Sequence, residues 1–394
     1  MIIKNVNVAT PRLKPYTVKE DFDSLEILNN VDIHIKGKRI EKIVKSNEDE
    51  SSKWVIPAFC DPHTHLVFCG SRENEIDLRK SIGYDGVLSR GGGIYRTVKD
   101  TMDCDEESLF EESKQRVLSM ISNGTSTFEI KTGYGMDLSS EERILSVIER
   151  IEREIGVTVK KSLLAHVLPR GLSEDRYLHD FKEMIDQFQG RIDYVDIFVD
   201  SGALTPSFAR SAIIHANEIG IPARIHLNEI SNVGGLEKLN DLRIVSYDHM
   251  LETRENEIGM LGSAVVTFLP FTSIILGKSS SIFGKMKEKG IILSMGSDSS
   301  PNTYILSMPL IISLVRQMTP FTLENIINMT TLNAAYSLAL SSSEGSIHAG
   351  KEANLIVLRD KFSKLGYELG TDPIEEVYVK GRPFRKSLET DLRN

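Results

Sequence analysis

Between residues 54 and 295, short strand-like runs alternate with segments of helical period, and few folds accept that order. The runs are 54–60, 125–131, 157–164, 193–199, 221–226, 243–247, 264–268 and 290–295. Helical patterns lie between them, such as Ser139 to Glu154, Tyr177 to Phe188 and Pro206 to Gly220. Strands separated by helices imply βαβ units and a parallel sheet. Eight of them predict an α/β chain built as a (β/α)8 TIM barrel, a fold of ~250 residues that tolerates insertions. The stretch from Phe68 to Asn123 is long for a single crossover and carries Gly91-Gly92-Gly93. It is expected to contribute an active-site loop.

The two ends of the chain read differently. Val31-Asp32-Ile33-His34-Ile35 alternates apolar and polar, and Gly37-Lys38-Arg39 turns the chain into Arg39-Ile40-Glu41-Lys42-Ile43-Val44. Near the C-terminus, Ala353-Asn354-Leu355-Ile356-Val357-Leu358 and Glu376-Val377-Tyr378-Val379-Lys380 are strand-like, with Gly381-Arg382 as a turn. Neither end is long enough to bury a sheet alone. They are expected to pair into one small β-sandwich domain, 1–56 plus 345–394, beside a barrel at 57–344.

In such barrels the active site lies at the C-terminal ends of the strands. The first run leads into Asp61-Pro62-His63-Thr64-His65. Residues two apart on a strand point the same way, so both imidazoles can reach one cation. Neutral imidazole suits zinc, iron or nickel. The second strand ends in Lys131-Thr132-Gly133-Tyr134-Gly135, the third in Ala165-His166 and the fifth in His226-Leu227-Asn228-Glu229. The sixth ends in Asp248-His249 and the eighth in Gly296-Ser297-Asp298. Five of the nine histidines thus fall on one face, which random scatter would seldom do. Each residue alone also has a plain structural role. His166 suits a hydrogen-bonded core position, Tyr134 a packing site, Lys131 a buried ion pair and Asp298 a helix cap.

Composition removes several function classes. The net charge is -9, from 56 acidic against 47 basic residues. No basic block stands out, so nucleic acid is not an expected partner. No apolar run is long enough to span a bilayer and no signal-peptide core follows Met1, so no membrane partner and a cytoplasmic location are expected. Cys60, Cys69 and Cys104 form no C-x-x-C pair and read as reduced thiols. Gly277-Lys278-Ser279 lacks the first glycine of a phosphate loop, and there is no G-x-S-x-G or H-E-x-x-H.

With these residues in view, the chain resembles the amidohydrolase superfamily and, within it, is similar to the imidazolonepropionase family of histidine degradation. The match rests on the Asp61-to-Phe68 segment, Gly70-Ser71-Arg72-Glu73, Gly91-Gly92-Gly93-Ile94, Lys131-Thr132-Gly133-Tyr134-Gly135, Ala165-His166-Val167, Asp248-His249 and Asn333-Ala334-Ala335-Tyr336. It covers nearly the whole chain. The resemblance implies one divalent metal, zinc or iron, held by His63, His65, His226 and Asp298. It implies a small-molecule substrate, 4-imidazolone-5-propanoate, and a homodimer. Glu229 and His249, with Asp298, are then the candidates for proton handling. Arg72 would hold the propionate, and Tyr134, His166, Glu229, Ser300, Asn302 and Thr303 would contact the substrate.

There are departures from the family pattern. The fifth strand commonly ends His-Ala-Asp-Glu, against His226-Leu227-Asn228-Glu229 here. After Asp298 the family commonly has Phe-Asn-Pro-Gly, and this chain has Ser299-Ser300-Pro301-Asn302. Other readings carry their own expectations. Dihydroorotase-like relatives bridge two metals with a carboxylated lysine on the fourth strand, which here ends in Phe198-Val199-Asp200. A deaminase would share the metal ligands and Glu229 but not Arg72 and the glycine loop. A metal-free structural relative would have lost ligands.

Overall fold

The structure, a computed structural model, describes residues 1–48 and 51–384. The last residues of the expected β domain, 385–394, lie outside the described residues. Among the described residues the strands are β1 Ile2–Thr10, β2 Glu26–Lys36, β3 Arg39–Lys45, β4 Trp54–Pro57, β5 Phe59–Asp61, β6 Thr125–Lys131, β7 Thr158–Ala165, β8 Tyr194–Val199, β9 Ala223–Leu227, β10 Ile244–His249, β11 Val265–Phe268, β12 Ile292–Met295, β13 Leu355–Leu358, β14 Ile374–Val379 and β15 Arg382–Phe384.

Strands β5 to β12 form one parallel sheet in sequence order, with helices between most successive strands. Each is covered on both faces, and β6, β9, β11 and β12 are buried at every position. Burial on both faces is why they do not show a simple apolar–polar alternation. The barrel closes beyond the regular strand ends. Asp298 N–H donates to the His63 carbonyl at 3.1 Å and His65 N–H to the Ser299 carbonyl at 2.9 Å. The segment that closes the barrel is therefore the one that carries the expected metal ligands.

The terminal strands form a second sheet in the order β15-β14-β13-β4-β1-β2-β3. It is one continuous hydrogen-bonded sheet that folds over on itself, the β2–β3 hairpin reaching the chain just before β13. Ile40 N–H donates to the Lys351 carbonyl at 2.9 Å and Ala353 N–H to the Lys38 carbonyl at 2.8 Å. Val6, Val8, Ile33, Ile40, Val55 and Leu355 pack between the two halves. The apolar run expected as a single first strand, 54–60, is divided. Trp54–Pro57 belongs to the terminal sheet, pairing β1 and β13, and only Phe59–Asp61 enters the barrel. A single buried run can serve two sheets because burial, not sheet identity, sets its composition.

The long stretch after β5 is mostly helical: Glu75–Ser89, interrupted by a kink at Gly83, then Ile94–Asp103 and Glu106–Ser122. It also overturns the expectation of reduced thiols throughout. Cys69 and Cys104 are joined in a disulfide with a Cα–Cα distance of 6.3 Å, while Cys60 is free and buried. The cysteines are 35 residues apart and meet because the helix Ile94–Asp103 folds back onto the chain leaving β5. No local motif signals such a contact. Closing a loop of this length is worth roughly 3–4 kcal/mol in the chain-entropy account. Cys104→Ser is therefore expected to lower the denaturant midpoint, and wild type under reductant should match it. Unfolded, unreduced wild type should titrate one thiol; three would refute the bond.

Candidate active site

The strand ends bring the donors together. His63 Nε2 lies 3.3 Å from His65 Nε2, which lies 3.4 Å from His226 Nε2. Asp298 Oδ1 sits 3.5 Å from His63 Nε2 and 3.4 Å from His65 Nε2. Donors set tetrahedrally about one cation at ~2.0–2.1 Å would stand about 3.3–3.4 Å apart. Four of the six separations among these donors have that size, and the donor chemistry suits a small divalent ion; His249 groups with His63 and Asp298 on the same side. All four side chains are buried, and four buried polar groups at this separation have little reason to converge otherwise.

The opposite ring nitrogens are fixed by carboxylates. His63 Nδ1 bonds Asp248 Oδ2 at 2.8 Å and His226 Nδ1 bonds Asp196 Oδ1 at 3.0 Å. A carboxylate at Nδ1 makes that nitrogen the N–H donor and leaves Nε2 with its lone pair toward the centre. Burial drives the imidazoles of His63 and His65 below their usual range, which keeps them as lone-pair donors. Thr272 donates its hydroxyl to Asp298 Oδ2.

Above this cluster is a pocket lined by His65, His226, His249, Asp298 and Glu229 at its base. Arg72, Tyr134, His166, Ser300, Asn302 and Thr303 also line it, with Ile94 and Phe198 among the apolar walls. Every residue expected at the site is thus brought to one pocket, His63 lying just beneath it. Glu229 Oε2 is 3.5 Å from His249 Nε2. Burial, then the Asp298 and Asp200 carboxylates, push Glu229 well above the ordinary carboxylate range. Burial brings His249 down to about 3, so its ring is neutral. Among the described residues, Thr303 Oγ1 and both ring nitrogens of His249 are buried without a hydrogen-bond partner. Such groups suit a pocket whose ligand completes them.

Three of these loops adopt a conformation that side chains seldom take. Asn228, His249 and Asp298 have φ of 54°, 73° and 53°, each just past or at the end of a barrel strand. Left-handed backbone is least costly for Asn, Asp and His, and strain of this kind gathers at functional sites. This gives a local reason for asparagine at 228.

Buried carboxylates fix the loop backbones. Asp200, just after β8, accepts N–H bonds from Glu229, Ile230 and Ser231 at 2.8–3.0 Å. Glu141 accepts from Gly133, Gly135 and Met136, each at 2.8 Å, and so shapes the turn that presents Tyr134. A Cβ on Gly135 would lie 2.6 Å from the Glu141 nitrogen, which explains the second glycine of that turn. Lys131 is not at the metal cluster. Its Nζ bonds Glu129 Oε1 at 2.7 Å and Asp196 Oδ2 at 2.6 Å, the buried ion pair that its sequence context allowed. Asp196, Asp200, Glu141 and the role of Asp248 were not singled out from the sequence. The one available signal is an acid within or at the end of an otherwise apolar strand, as in Tyr194-Val195-Asp196-Ile197.

Residues 54–383 match the amidohydrolase family model. A protein of Thermoplasma acidophilum named imidazolonepropionase is 35% identical over 384 residues, covering 95% of this chain and 94% of its own. The chain belongs to the imidazolonepropionase branch of the amidohydrolase family. A Picrophilus torridus protein of the same name is 35% identical, covering 91% of this chain and 94% of its own, and one of Pseudomonas fluorescens is 32% identical over 393 residues, covering 96% and 98%. The fold is shared more widely. A Xanthomonas campestris adenosine deaminase with bound zinc superposes with a TM-score of 0.71 at 15% identity, covering 96% of this chain and 92% of its own. E. coli guanine deaminase does so with a TM-score of 0.68 at 18%, covering 97% and 99%.

Proposed function

We propose that the protein hydrolyses the ring C–N bond of 4-imidazolone-5-propanoate, releasing N-formimino-L-glutamate in histidine degradation. The observation that carries this reading is the convergence of three imidazole Nε2 atoms and one carboxylate at 3.3–3.5 Å beneath a pocket holding Glu229 and an arginine. His63, His65, His226 and Asp298 would hold one divalent cation, zinc or iron, since both accept this donor set. When bound, the cation supplies a Lewis acid that brings the ionisation of water toward neutral pH.

The remaining steps belong to the protein. Glu229 takes a proton from the attacking water and returns it to the ring nitrogen as the C–N bond breaks. A carboxyl held above its ordinary range keeps a proton long enough to deliver it. His249, neutral, hydrogen-bonds the substrate carbonyl oxygen. Arg72 binds the propionate carboxylate through a charge-assisted contact. Tyr134, His166, Ser300, Asn302 and Thr303 orient the ring and tail. The homodimer completes the reading on the strength of the family resemblance and the cytoplasm on that of the sequence; light scattering of purified protein checks the first.

Incubation with imidazolone propionate, followed by ultraviolet absorbance, tests the reaction. Turnover with one metal per chain by elemental analysis is expected, lost on chelation and restored on readdition. Two metals per chain would overturn the single-metal assignment. A metal-loaded protein inert toward this substrate would overturn the reaction.

A further inference from the structure

Two sequence features distinctive of this branch, Gly70-Ser71-Arg72-Glu73 and Gly91-Gly92-Gly93-Ile94, have no role in the mechanism beyond Arg72 itself. The structure joins them through a third residue. Glu75 Oε2 accepts from Arg72 Nε at 2.8 Å, and Glu75 Oε1 accepts from the Gly93 N–H at 3.0 Å. Both side chains of the pair are largely buried, 7% exposed for Arg72 and 13% for Glu75, so solvent competes weakly for the bond. Gly93 is the N-cap of the helix Ile94–Asp103, and its own residue type offers no side-chain cap. Glu75 supplies one from a different element, at the positive end of that helix. The glycines follow from this. A Cβ at Gly92 would lie 2.9 Å from Glu75 Oε1 and 2.7 Å from Val87 Cγ1, and Gly93 has φ of 67°. Arg72 and Ile94 both line the catalytic pocket, so one carboxylate sets two of its walls.

We propose that Glu75 is a positioning residue for substrate capture: it fixes the plane of the Arg72 guanidinium and docks the glycine loop against it. The inference rests on the reading that Arg72 binds a substrate carboxylate. An arginine left to rotate would have to be ordered at the moment of binding, and that cost falls on affinity.

The test is a double-mutant cycle on the metal-loaded enzyme with Arg72→Met, Glu75→Gln and the double variant. Turnover of imidazolone propionate is measured for each. So is calorimetric binding of imidazole propionate, a tailed ring with no cyclic amide to open, and of plain imidazole. Arg72→Met should weaken capture of the tailed ligands about 10- to 100-fold, the range of a charged hydrogen bond. Glu75→Gln keeps the volume and one acceptor but cannot accept from both N–H groups. It should raise KM and Kd about tenfold with kcat, metal content and imidazole binding little changed. The double variant should lose no more than Arg72→Met alone. Additive losses, a fall in kcat without a change in KM, or equal weakening of plain imidazole would overturn the proposal. If Glu75→Gln unfolds, Glu75→Asp takes its place. It keeps the charge, is one methylene too short to span both partners, and should show the same pattern. A wild type that binds imidazole propionate but does not open the imidazolone would overturn the reaction while the binding cycle still judges Glu75. A wild type that does not bind the tailed ring would overturn the role of both residues.

Discussion

Glu229→Gln is expected to keep its metal and lose about 10²- to 10⁴-fold in kcat, the usual span for a general acid–base group. The substitution is close to isosteric, and the backbone that presents residue 229 does not depend on its side chain. Asp200 holds the N–H groups of Glu229, Ile230 and Ser231, so the loop should stay in place. Only the ability to take up and return a proton is removed. Glu229 sits 3.5 Å from His249 and lines the pocket with His65, His226 and Asp298, three of the proposed metal ligands. Its environment favours the protonated form through burial first and neighbouring carboxylates second. That is the direction a proton carrier needs at neutral pH. KM should change little, because the step lost is one made in the transition state. Elemental analysis beside steady-state kinetics decides the point. Normal metal with turnover within a few-fold of wild type would remove Glu229 from the proton path. Loss of metal would make its role structural.

The barrel was legible because its physics is local. A parallel strand covered on both faces is mostly apolar, and most barrel strands lie within a few residues of their expected positions; β6, with Glu129 and Lys131 in it, matches 125–131 although its composition is mixed. The histidines and Asp298 were legible for a related reason: a polar residue that ends an apolar run marks the functional rim of the barrel. What escaped was set by distance in sequence. Nothing near Asp196 says that it faces His226 and Lys131 at once. Nothing near Glu75 says that a glycine 18 residues on will donate to it. The Cys69–Cys104 bond and the division of 54–60 between two sheets are of the same kind. The Asn302 loop shows the intermediate case. Its residues depart from the family pattern, yet Ser300, Asn302 and Thr303 still line the pocket, because Ser300 and Thr303 close a tight turn through paired backbone bonds.

Lys131→Met should be among the most damaging substitutions for stability, although residue 131 touches neither the donor atoms of the proposed metal ligands nor the pocket. The ammonium lies between Glu129 and Asp196, with Asp248 Oδ2 at 4.0 Å. Arg224, fully buried, contacts Asp248 from the other side at 3.4 Å and donates to the Pro62 carbonyl at 2.9 Å. Burial alone would depress the Lys131 ammonium. Asp196, Glu129 and Asp248 outweigh that, and the group stands above its ordinary value. It is therefore committed as a cation, whereas a carboxylated, metal-bridging lysine would have to form from the neutral amine. Methionine fills the space but leaves buried carboxylates without their counter-charge, and breaking a buried pair costs about 3–5 kcal/mol. A second effect should follow at the metal. Asp196 and Asp248 set the tautomers of His226 and His63, and disturbing such partners typically lowers metal affinity ~10- to 100-fold. Denaturant unfolding and competition with a chelator measure the two effects separately. If added short carboxylic acids restore metal binding and turnover to the variant, Lys131 carries a carboxylate bridge after all. If stability is unchanged, the buried cation is not what holds this network together.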